Sequence, residues 1–346
     1  MRHFLIWLLG IGLVLSGLLV PSPISLAAEG EWSKKTDMPF PRLFFSVSAA
    51  GELVYVIGGM LAEPIARVDT YAPASDTWAQ KADMPTARAG VVTAVVNGKI
   101  YAIGGWNNEA PALSTVEEYD PATDRWTQKA DMPTARVFFA TAVADGKIYA
   151  IGGIATNFGP VLPVVEVYDP VADKWDQKAA MPNPRSGMAS ATVGGKIYLF
   201  GGTSNVQGPV LATVEEYDPT TETWTPKTDM PSKRSALAAG VVGKHIYAIG
   251  GTDIVQGPGL SAVERYDPTN DTWSKETDMP TARVFLGAGI VDNKIYAAGG
   301  VAEGLGPAIL PAMEEFDTGT LHVERKERVS TLWGQIKRGD YNNDIE

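Results

Sequence analysis

Six arginines recur along this chain at nearly equal steps, and each follows a Met-Pro pair by three positions. Guanidinium groups form paired hydrogen bonds with carboxylates, phosphates and sulfated sugars. If the side chains converge, they predict a binding site for an acidic ligand. The six residues, separated by 46, 48, 49, 49 and 49 positions, are Arg42, Arg88, Arg136, Arg185, Arg234 and Arg283.

Each repeat also carries one acidic residue two positions before an aromatic residue. One arginine and one acid per repeat suggest an alternative, in which they form a structural ion pair repeated along the array. At the level of sequence both interpretations stay open. The six acids are Asp69, Glu117, Glu166, Glu215, Glu264 and Glu314.

The elements between the arginines read as short strands separated by turns. Asn97-Gly98 is a strong hairpin signal, and a double glycine ends the following strand in every repeat. Four antiparallel strands per unit, repeated six times at a period near fifty, predict an all-β, six-bladed propeller. For the unit at 88–126, the predicted strands are 90–96, 99–103, 115–119 and 125–128.

The sixth unit lacks a tryptophan that the other five carry in their fourth strand, with Val323 in its place. Trp32 lies six residues before Met38, the interval that also separates Trp126 from Met132. We therefore expect an N-terminal strand at 31–36 to complete the sixth blade. Such closure leaves no exposed strand edge.

The loops after the double glycines vary while the surrounding frame does not, and binding residues often lie on such loops. Aromatic and amide side chains suit sugars or peptide backbones, so candidate ligand-binding residues here are Trp106, Asn107, Asn157 and Phe158. Ordinary loop composition is the alternative. The six loops are 60–66, 106–113, 154–163, 203–211, 252–260 and 301–311.

Aromatic residues also follow three of the arginines closely. We interpret them as core residues that pack between blades. They are Phe44, Phe45, Phe138, Phe139 and Phe285.

The double glycine, the tyrosine three positions before it, the Glu-x-Tyr-Asp-Pro segment and the tryptophan together resemble the kelch repeat over residues 31–317. The resemblance implies a propeller that binds partners on the face carrying the Met-Pro-x-x-Arg segments and the loops after the double glycines. The departures are small: Asp69 stands in place of Glu, and Phe316 in place of Tyr.

Composition excludes several classes of function. A formal net charge of −11 argues against nucleic-acid binding. There is no cysteine, and beyond residue 27 only His245 and His322 could act as imidazole ligands. We therefore predict neither a cofactor nor a metal site.

The N-terminus resembles a secretory signal. Arg2 precedes an apolar run at 4–20, followed by small residues near Ala27 and Ala28. We expect a signal peptide at 1–27, a propeller at 28–323 and a C-terminal tail at 324–346. Localisation is then secreted or periplasmic, and the alternative is an uncleaved membrane anchor.

The favoured function is an exported protein that binds a protein or glycan, acidic if it contacts the arginines. The alternative is a carbohydrate-active enzyme that resembles the bacterial N-acetylneuraminate epimerases (mutarotases), which are also kelch propellers. Such chemistry needs a positioned acid–base pair. Glu63, Glu109 and Glu303 are loop acids outside the repeat pattern, and nothing distinguishes one of them. Catalysis is therefore the less favoured interpretation.

Overall fold

The computed structural model describes residues 30–156, 159–302 and 309–319. Within these ranges 24 strands form six antiparallel four-stranded sheets, each a blade, as predicted. Blades one to three are β2 (Ser46–Ala50), β3 (Leu53–Ile57), β4 (Val68–Ala72) and β5 (Thr77–Lys81); β6 (Val92–Val96), β7 (Lys99–Ile103), β8 (Val116–Asp120) and β9 (Arg125–Gln128); and β10 (Ala140–Ala144), β11 (Lys147–Ile151), β12 (Val165–Asp169) and β13 (Lys174–Gln177).

Blades four and five follow the same order, and blade six takes its outer strand from the N-terminal end. Their strands are β14 (Ala189–Val193), β15 (Lys196–Phe200), β16 (Val214–Asp218) and β17 (Thr223–Lys227); β18 (Ala238–Val242), β19 (His245–Ile249), β20 (Val263–Asp267) and β21 (Thr272–Lys275); and β22 (Gly287–Val291), β23 (Lys294–Ala298), β24 (Met313–Asp317) and β1 (Glu31–Lys35).

The predicted closure is confirmed. Strand β1 pairs antiparallel with β24, and Trp32 lies opposite Phe316 with ring centroids 4.9 Å apart. The Trp32 indole also donates to the carbonyl of Thr277 at 2.9 Å. The sixth blade therefore joins the two ends of the array.

One predicted strand begins too early. The first strand of blade two starts at Val92 rather than at Gly90, because Gly90 adopts a left-handed conformation with φ of +61°. The hairpin signal is confirmed, since Asn97 and Gly98 both have positive φ, as a type I′ turn requires.

The core is divided among the interfaces between neighbouring blades. Ile151 and Val165 of blade three, for example, pack with Ile197 and Leu199 of blade four in one cluster. Six such clusters surround the axis. Each blade is therefore stabilised by its neighbours.

A repeated polar contact, here called the blade latch, fastens the outer part of each of four blades to the preceding unit. In blade two, Asp124 accepts hydrogen bonds from the Tyr119 hydroxyl at 2.6 Å and from the backbone N–H of Ala82 at 2.9 Å. Trp126 donates to the carbonyl of the same alanine at 2.9 Å. The equivalent carboxylates are Asp76, Asp173 and Asp271.

The two faces of the propeller carry different connections. The Met-Pro-x-x-Arg segments and the loops after the double glycines share one face, defined here as the upper face, since bridges such as Ala89 to Trp106 join them. The hairpin and Asp-Pro turns form the lower face. Because Glu31 pairs with Asp317, the described chain also begins and ends on the lower face. No helix in the described ranges is long and apolar enough to cross a membrane.

Candidate functional site

The six arginines, here called the arginine ring, are fully buried at 0% exposure. Each guanidinium contacts the acid of its own blade, with N–O distances of 2.7 Å for Arg88–Glu117 and 2.6 Å for Arg234–Glu264. The other pairs are Arg42–Asp69, Arg136–Glu166, Arg185–Glu215 and Arg283–Glu314.

Blade two shows what this contact does locally. Arg88 donates to the carbonyls of Gly104 at 3.2 Å and Thr115 at 2.8 Å, which lie at the two ends of the loop after the double glycine. Thr86 donates to the second oxygen of Glu117 at 2.7 Å. Burial lowers the pKa of Arg88, and the Glu117 carboxylate opposes that shift. The arginine therefore anchors the loop.

This placement corrects the expectation that the arginines contact a ligand. Their side chains expose no surface, and their donors are directed at carboxylates and carbonyl groups of the same blade. The alternative interpretation, a repeated structural ion pair, agrees with the geometry. We therefore assign the arginine ring to the scaffold.

A second ring, here called the mouth ring, occupies the position two residues after each arginine. All six of its residues have left-handed backbone, with φ between +52° and +64°. L-residues other than glycine adopt this conformation at a cost, and bulky ones rarely do. The members are Phe44, Gly90, Phe138, Gly187, Ala236 and Phe285.

Backbone hydrogen bonds join neighbours in the mouth ring. The N–H of Gly90 donates to the carbonyl of Phe44 at 2.7 Å, and the N–H of Phe285 donates to that of Ala236 at 3.0 Å. Gly187 receives a bond of the same kind from Ala236 at 2.8 Å. Phenylalanine, glycine and alanine share one backbone conformation here, so the fold sets the backbone while the side chain varies.

The three phenylalanines of the mouth ring lie together. Phe44 contacts Phe138 and Phe285 with ring centroids 5.8 and 4.9 Å apart. All three are half-buried, whereas Phe45 and Phe139 are 8% and 3% exposed and belong to the clusters between blades. The prediction of core packing is therefore confirmed for Phe45 and Phe139 and wrong for the other three.

All members of the mouth ring except Gly90 line a cavity of about 200 Å³, here called the funnel, which opens on the upper face. Its walls come mainly from blades four and five, and none of the lining residues that the structure describes is ionisable. A second cavity of about 160 Å³ lies beneath the same phenylalanines, which separate it from the funnel. The walls include Ser186, Thr203, Val206, Ser235, Thr252, Val255 and Gln256.

The loop residues predicted from sequence have mixed outcomes. Trp106 lies over Gly90, where an added Cβ would be only 3.1 Å from the indole Cδ1, so this tryptophan does reach the mouth. The Asn107 side chain accepts from the N–H groups of Glu109 and Ala110, and therefore stabilises its own loop. The predicted residues Asn157 and Phe158 lie outside the described residues.

The sequence analysis included the loops that supply most of the funnel wall, 203–211 and 252–260, but it did not single them out from the other four. Blades four and five share the segment Val-Gln-Gly-Pro after their double glycines, at 206–209 and 255–258, and both valines face the funnel. That local repetition was the available signal. The left-handed position two residues after each arginine gave none, because only Gly90 and Gly187 there suggest unusual backbone.

Catalytic groups are sparse on this face. Glu63 and Glu109 are exposed on loops that do not line the funnel, and Glu303 lies outside the described residues. Asp253 is half-buried on a loop that does line the funnel, but it is not itself a lining residue. Within the described ranges, no three His, Cys, Asp or Glu side chains lie close enough together to hold a metal ion. The funnel therefore offers binding groups rather than a positioned acid–base pair.

Comparison with known proteins is consistent with this architecture. The sequence matches the Kelch motif over residues 41–85, 87–133 and 135–182, and the KLHDC2/KLHL20/DRC7 Kelch-repeats domain over 166–300. The solved structure of YjhT is similar at 18% identity with a TM-score of 0.70, covering 80% of this chain and 95% of that one. No curated protein matches the sequence.

Proposed function

The chain belongs to the kelch-repeat family, and from that premise we propose that it is an exported binding protein whose upper face holds a partner protein at the mouth ring. Kelch propellers commonly serve as protein-binding scaffolds. Exposed aromatic side chains in a concave site are typical of the centre of a protein interface. The partner is therefore sought at the funnel rather than at the arginine ring.

The observation that supports this proposal is the presence of three phenylalanines on left-handed backbone. Left-handed conformation costs an L-residue about 1–2 kcal/mol, a cost that glycine avoids. The fold alone would be served best by glycine at all six positions, as at Gly90 and Gly187. Strained backbone of this kind is often found at functional sites. The aromatic rings are therefore attributed to binding.

Export rests on the apolar run at 4–20 and the small residues near Ala27 and Ala28, which lie outside the described residues. N-terminal sequencing of the protein recovered from the medium or periplasm is expected to begin near residue 28. A sequence that begins at Met1 would contradict cleavage and favour the anchor.

The binding proposal is tested by selecting displayed random peptides on the purified protein and running a glycan array beside it. Ala236→Phe fills the funnel, and since Ala236 already has φ of +52°, close to the +53° of Phe44, the added ring needs no change of backbone. Selected peptides are expected to bind the wild type and to lose binding to Ala236→Phe.

The matched control is Val171→Phe, which adds the same ring to a 92% exposed position on the lower face. It should leave peptide binding unchanged. Peptides that bind Ala236→Phe as well as the wild type would contradict a site at the mouth ring. Hits confined to the glycan array would replace the partner protein by a sugar ligand.

A further inference from the structure

We infer that the funnel accepts one uncharged aromatic side chain from an extended peptide segment of the partner. This inference rests on the proposed binding function and specifies its ligand. It differs from the acidic ligand that the arginines suggested at first. Four features of the funnel carry it: charge, shape, polar groups and orientation.

Charge comes first. No ionisable side chain among the described residues lines the funnel, and the nearby arginines are already neutralised by carboxylates of their own blades. A charged group entering this space would lose water and find no partner of opposite charge, which is strongly unfavourable. The inserted group is therefore uncharged.

Shape indicates an aromatic ring. The small residues Gly187 and Ala236 leave the side of blades four and five open, and a Cβ added at Gly187 would meet nothing closer than 3.8 Å. Phe44 and Phe285 form the opposite side. A dry cavity of about 150 Å³ is enough to hold benzene, so the funnel of about 200 Å³ holds one ring. Aromatic pairs also prefer edge-to-face contacts of the kind already present between Phe44 and Phe285.

Polar groups on the walls indicate that the ring belongs to a peptide. The hydroxyls of Ser186 and Thr203 lie 3.4 Å apart in one wall, and Thr252 donates to the carbonyl of Ile254 in the next. Gln256 is exposed at the rim. A purely hydrocarbon ligand would cover the Gln256 amide and the spare acceptor sites of these hydroxyls without bonding them, which costs free energy on binding. Backbone amides of a segment crossing the rim can instead bind them.

A neighbouring shallow pocket extends the same path. Val206 lines both the funnel and this pocket, which is also lined by Asn205 and Gln207. A strand advances about 3.3 Å per residue, with alternate side chains on the same side. A segment with its aromatic residue in the funnel therefore places the backbone beyond it beside the exposed Gln207 amide.

The orientation of the fold favours a separate chain as the occupant. Gly30 and Gly319, where the described chain begins and ends, lie on the lower face, and the funnel opens on the upper face. The described ends therefore lie on the face opposite the funnel, and the occupant we infer is a segment of a partner protein.

The test uses capped amino acids as probes. Saturation-transfer NMR is recorded on the full-length protein with the amides of N-acetyl-tryptophan, N-acetyl-phenylalanine, N-acetyl-leucine and N-acetyl-aspartate. The aromatic amides are expected to bind, the leucine amide about 2- to 13-fold more weakly, and the aspartate amide not to compete. Aromatic pairs contribute about 0.5–1.5 kcal/mol beyond area burial, which corresponds to about 2- to 13-fold in affinity.

Variants locate the binding. Ala236→Phe should abolish binding of the aromatic amides, Phe285→Ala should weaken it about tenfold, and Val171→Phe should leave it unchanged. Phe285→Leu keeps apolar volume without the ring, so it preserves folding while still weakening aromatic binding. A melting curve recorded for each variant distinguishes loss of binding from loss of the fold.

Several results would overturn the inference: equal binding of the tryptophan and leucine amides, competition by the aspartate amide, unchanged binding to Ala236→Phe, or no binding of any amide. Failure of this inference is distinguishable from failure of the proposed function. If displayed peptides still bind the mouth ring but carry no shared aromatic residue, the function stands and the ligand class is wrong. If no peptide depends on the funnel, both fail.

Discussion

The arginine ring and the mouth ring lie two residues apart in every repeat, yet they differ in all other respects. Arginine occupies all six positions of the first ring, is fully buried and pairs with a carboxylate of its blade. The mouth ring contains phenylalanine, glycine and alanine on one shared backbone conformation. Its phenylalanines are half-buried at the mouth of the channel. Uniform residues here serve the scaffold, whereas the irregular ones shape the site.

The difference has a simple physical basis. Each blade must anchor its own upper loop, so the Arg–carboxylate contact is needed six times. A ligand that enters one funnel meets different blades at different points, so its site has no reason to be sixfold. In a repeat protein, departures from the repeat on one face therefore indicate where a ligand binds.

The largest expected effect comes from the arginine ring. Arg136→Ala leaves the buried Glu166 carboxylate without its partner, and loss of one member of a buried ion pair costs about 3–5 kcal/mol. Urea denaturation should show that loss in the free energy of unfolding. The double variant Arg136→Met, Glu166→Leu should recover most of it, because it leaves no unpaired charge. A single variant that kept its stability but lost peptide binding would return the ligand to the arginine ring.

The blade latch gives the scaffold a dependence on pH. The hydrogen bond from Tyr119 and that from the backbone N–H of Ala82 lower the pKa of Asp124 below its ordinary value. Because the folded-state pKa is the lower one, the latch contributes stability above about pH 4, and this contribution is lost as pH falls through the folded pKa. Desolvation is the main cause, and the hydrogen bond to Asp124 the second, that raises the pKa of the Tyr119 hydroxyl above its ordinary value. Because the folded-state pKa is the higher one, the free energy of unfolding declines at alkaline pH only above about pH 10.

Urea titrations between pH 2.5 and 7 test the acid limb. The free energy of unfolding should be flat above about pH 5 and fall below about pH 4. Asp124→Asn keeps an oxygen acceptor but cannot titrate there, so its curve should fall less steeply than that of the wild type. Asp124→Ala leaves the Tyr119 hydroxyl unpartnered and should cost about 1–3 kcal/mol at pH 7. Parallel curves for wild type and Asp124→Asn would exclude the latch as the source of the acid limb.

Substitutions in the mouth ring should change the free energy of unfolding very little. Phe138→Gly relieves about 1 kcal/mol of left-handed strain and loses the contact of a half-buried ring with Phe44, so the two effects largely cancel. The change in the free energy of unfolding should stay below about 1 kcal/mol. The contrast with Arg136→Ala, only two residues away, is the sharpest measure of the difference between the rings. A loss of several kcal/mol would mean that Phe138 belongs to the core.

These differences also explain what the sequence could predict. Strands such as Lys99–Ile103 and the closing role of Trp32 follow from periodicity and turn residues, which are local signals. The ion pair was one of two open interpretations, because the sequence places Arg88 and Glu117 in one repeat without stating which way they point. The funnel was not predicted as a site. It depends on left-handed backbone at Phe44, which a phenylalanine in the sequence does not indicate, and on walls that separate blades contribute.

The smallest expected effect concerns blade four, where the latch is incomplete. Glu222 stands where the other latches have aspartate, and it pairs with Lys178 at 2.6 Å. The buried Tyr217 hydroxyl has no hydrogen-bond partner among the described residues. The indole of Trp224 is also 3.4 Å from the Ala179 carbonyl, against 2.9 Å for Trp126 in blade two.

Glu222→Asp should restore the shorter carboxylate that reaches the tyrosine hydroxyl at the other latches, as Asp124 does at 2.6 Å. One hydrogen bond to a buried hydroxyl contributes about 0.5–1.5 kcal/mol, and the partly exposed pair with Lys178 that is lost contributes less. We therefore expect a gain of about 0.5–1 kcal/mol in urea denaturation. Tyr217→Phe is the matched control, since it removes the unpaired hydroxyl, and Glu222→Asp in that background should give no gain. Glu222 has left-handed backbone, with φ of +55°, which aspartate adopts more readily than glutamate. A gain that persists in the Tyr217→Phe background would arise from that preference rather than from the latch.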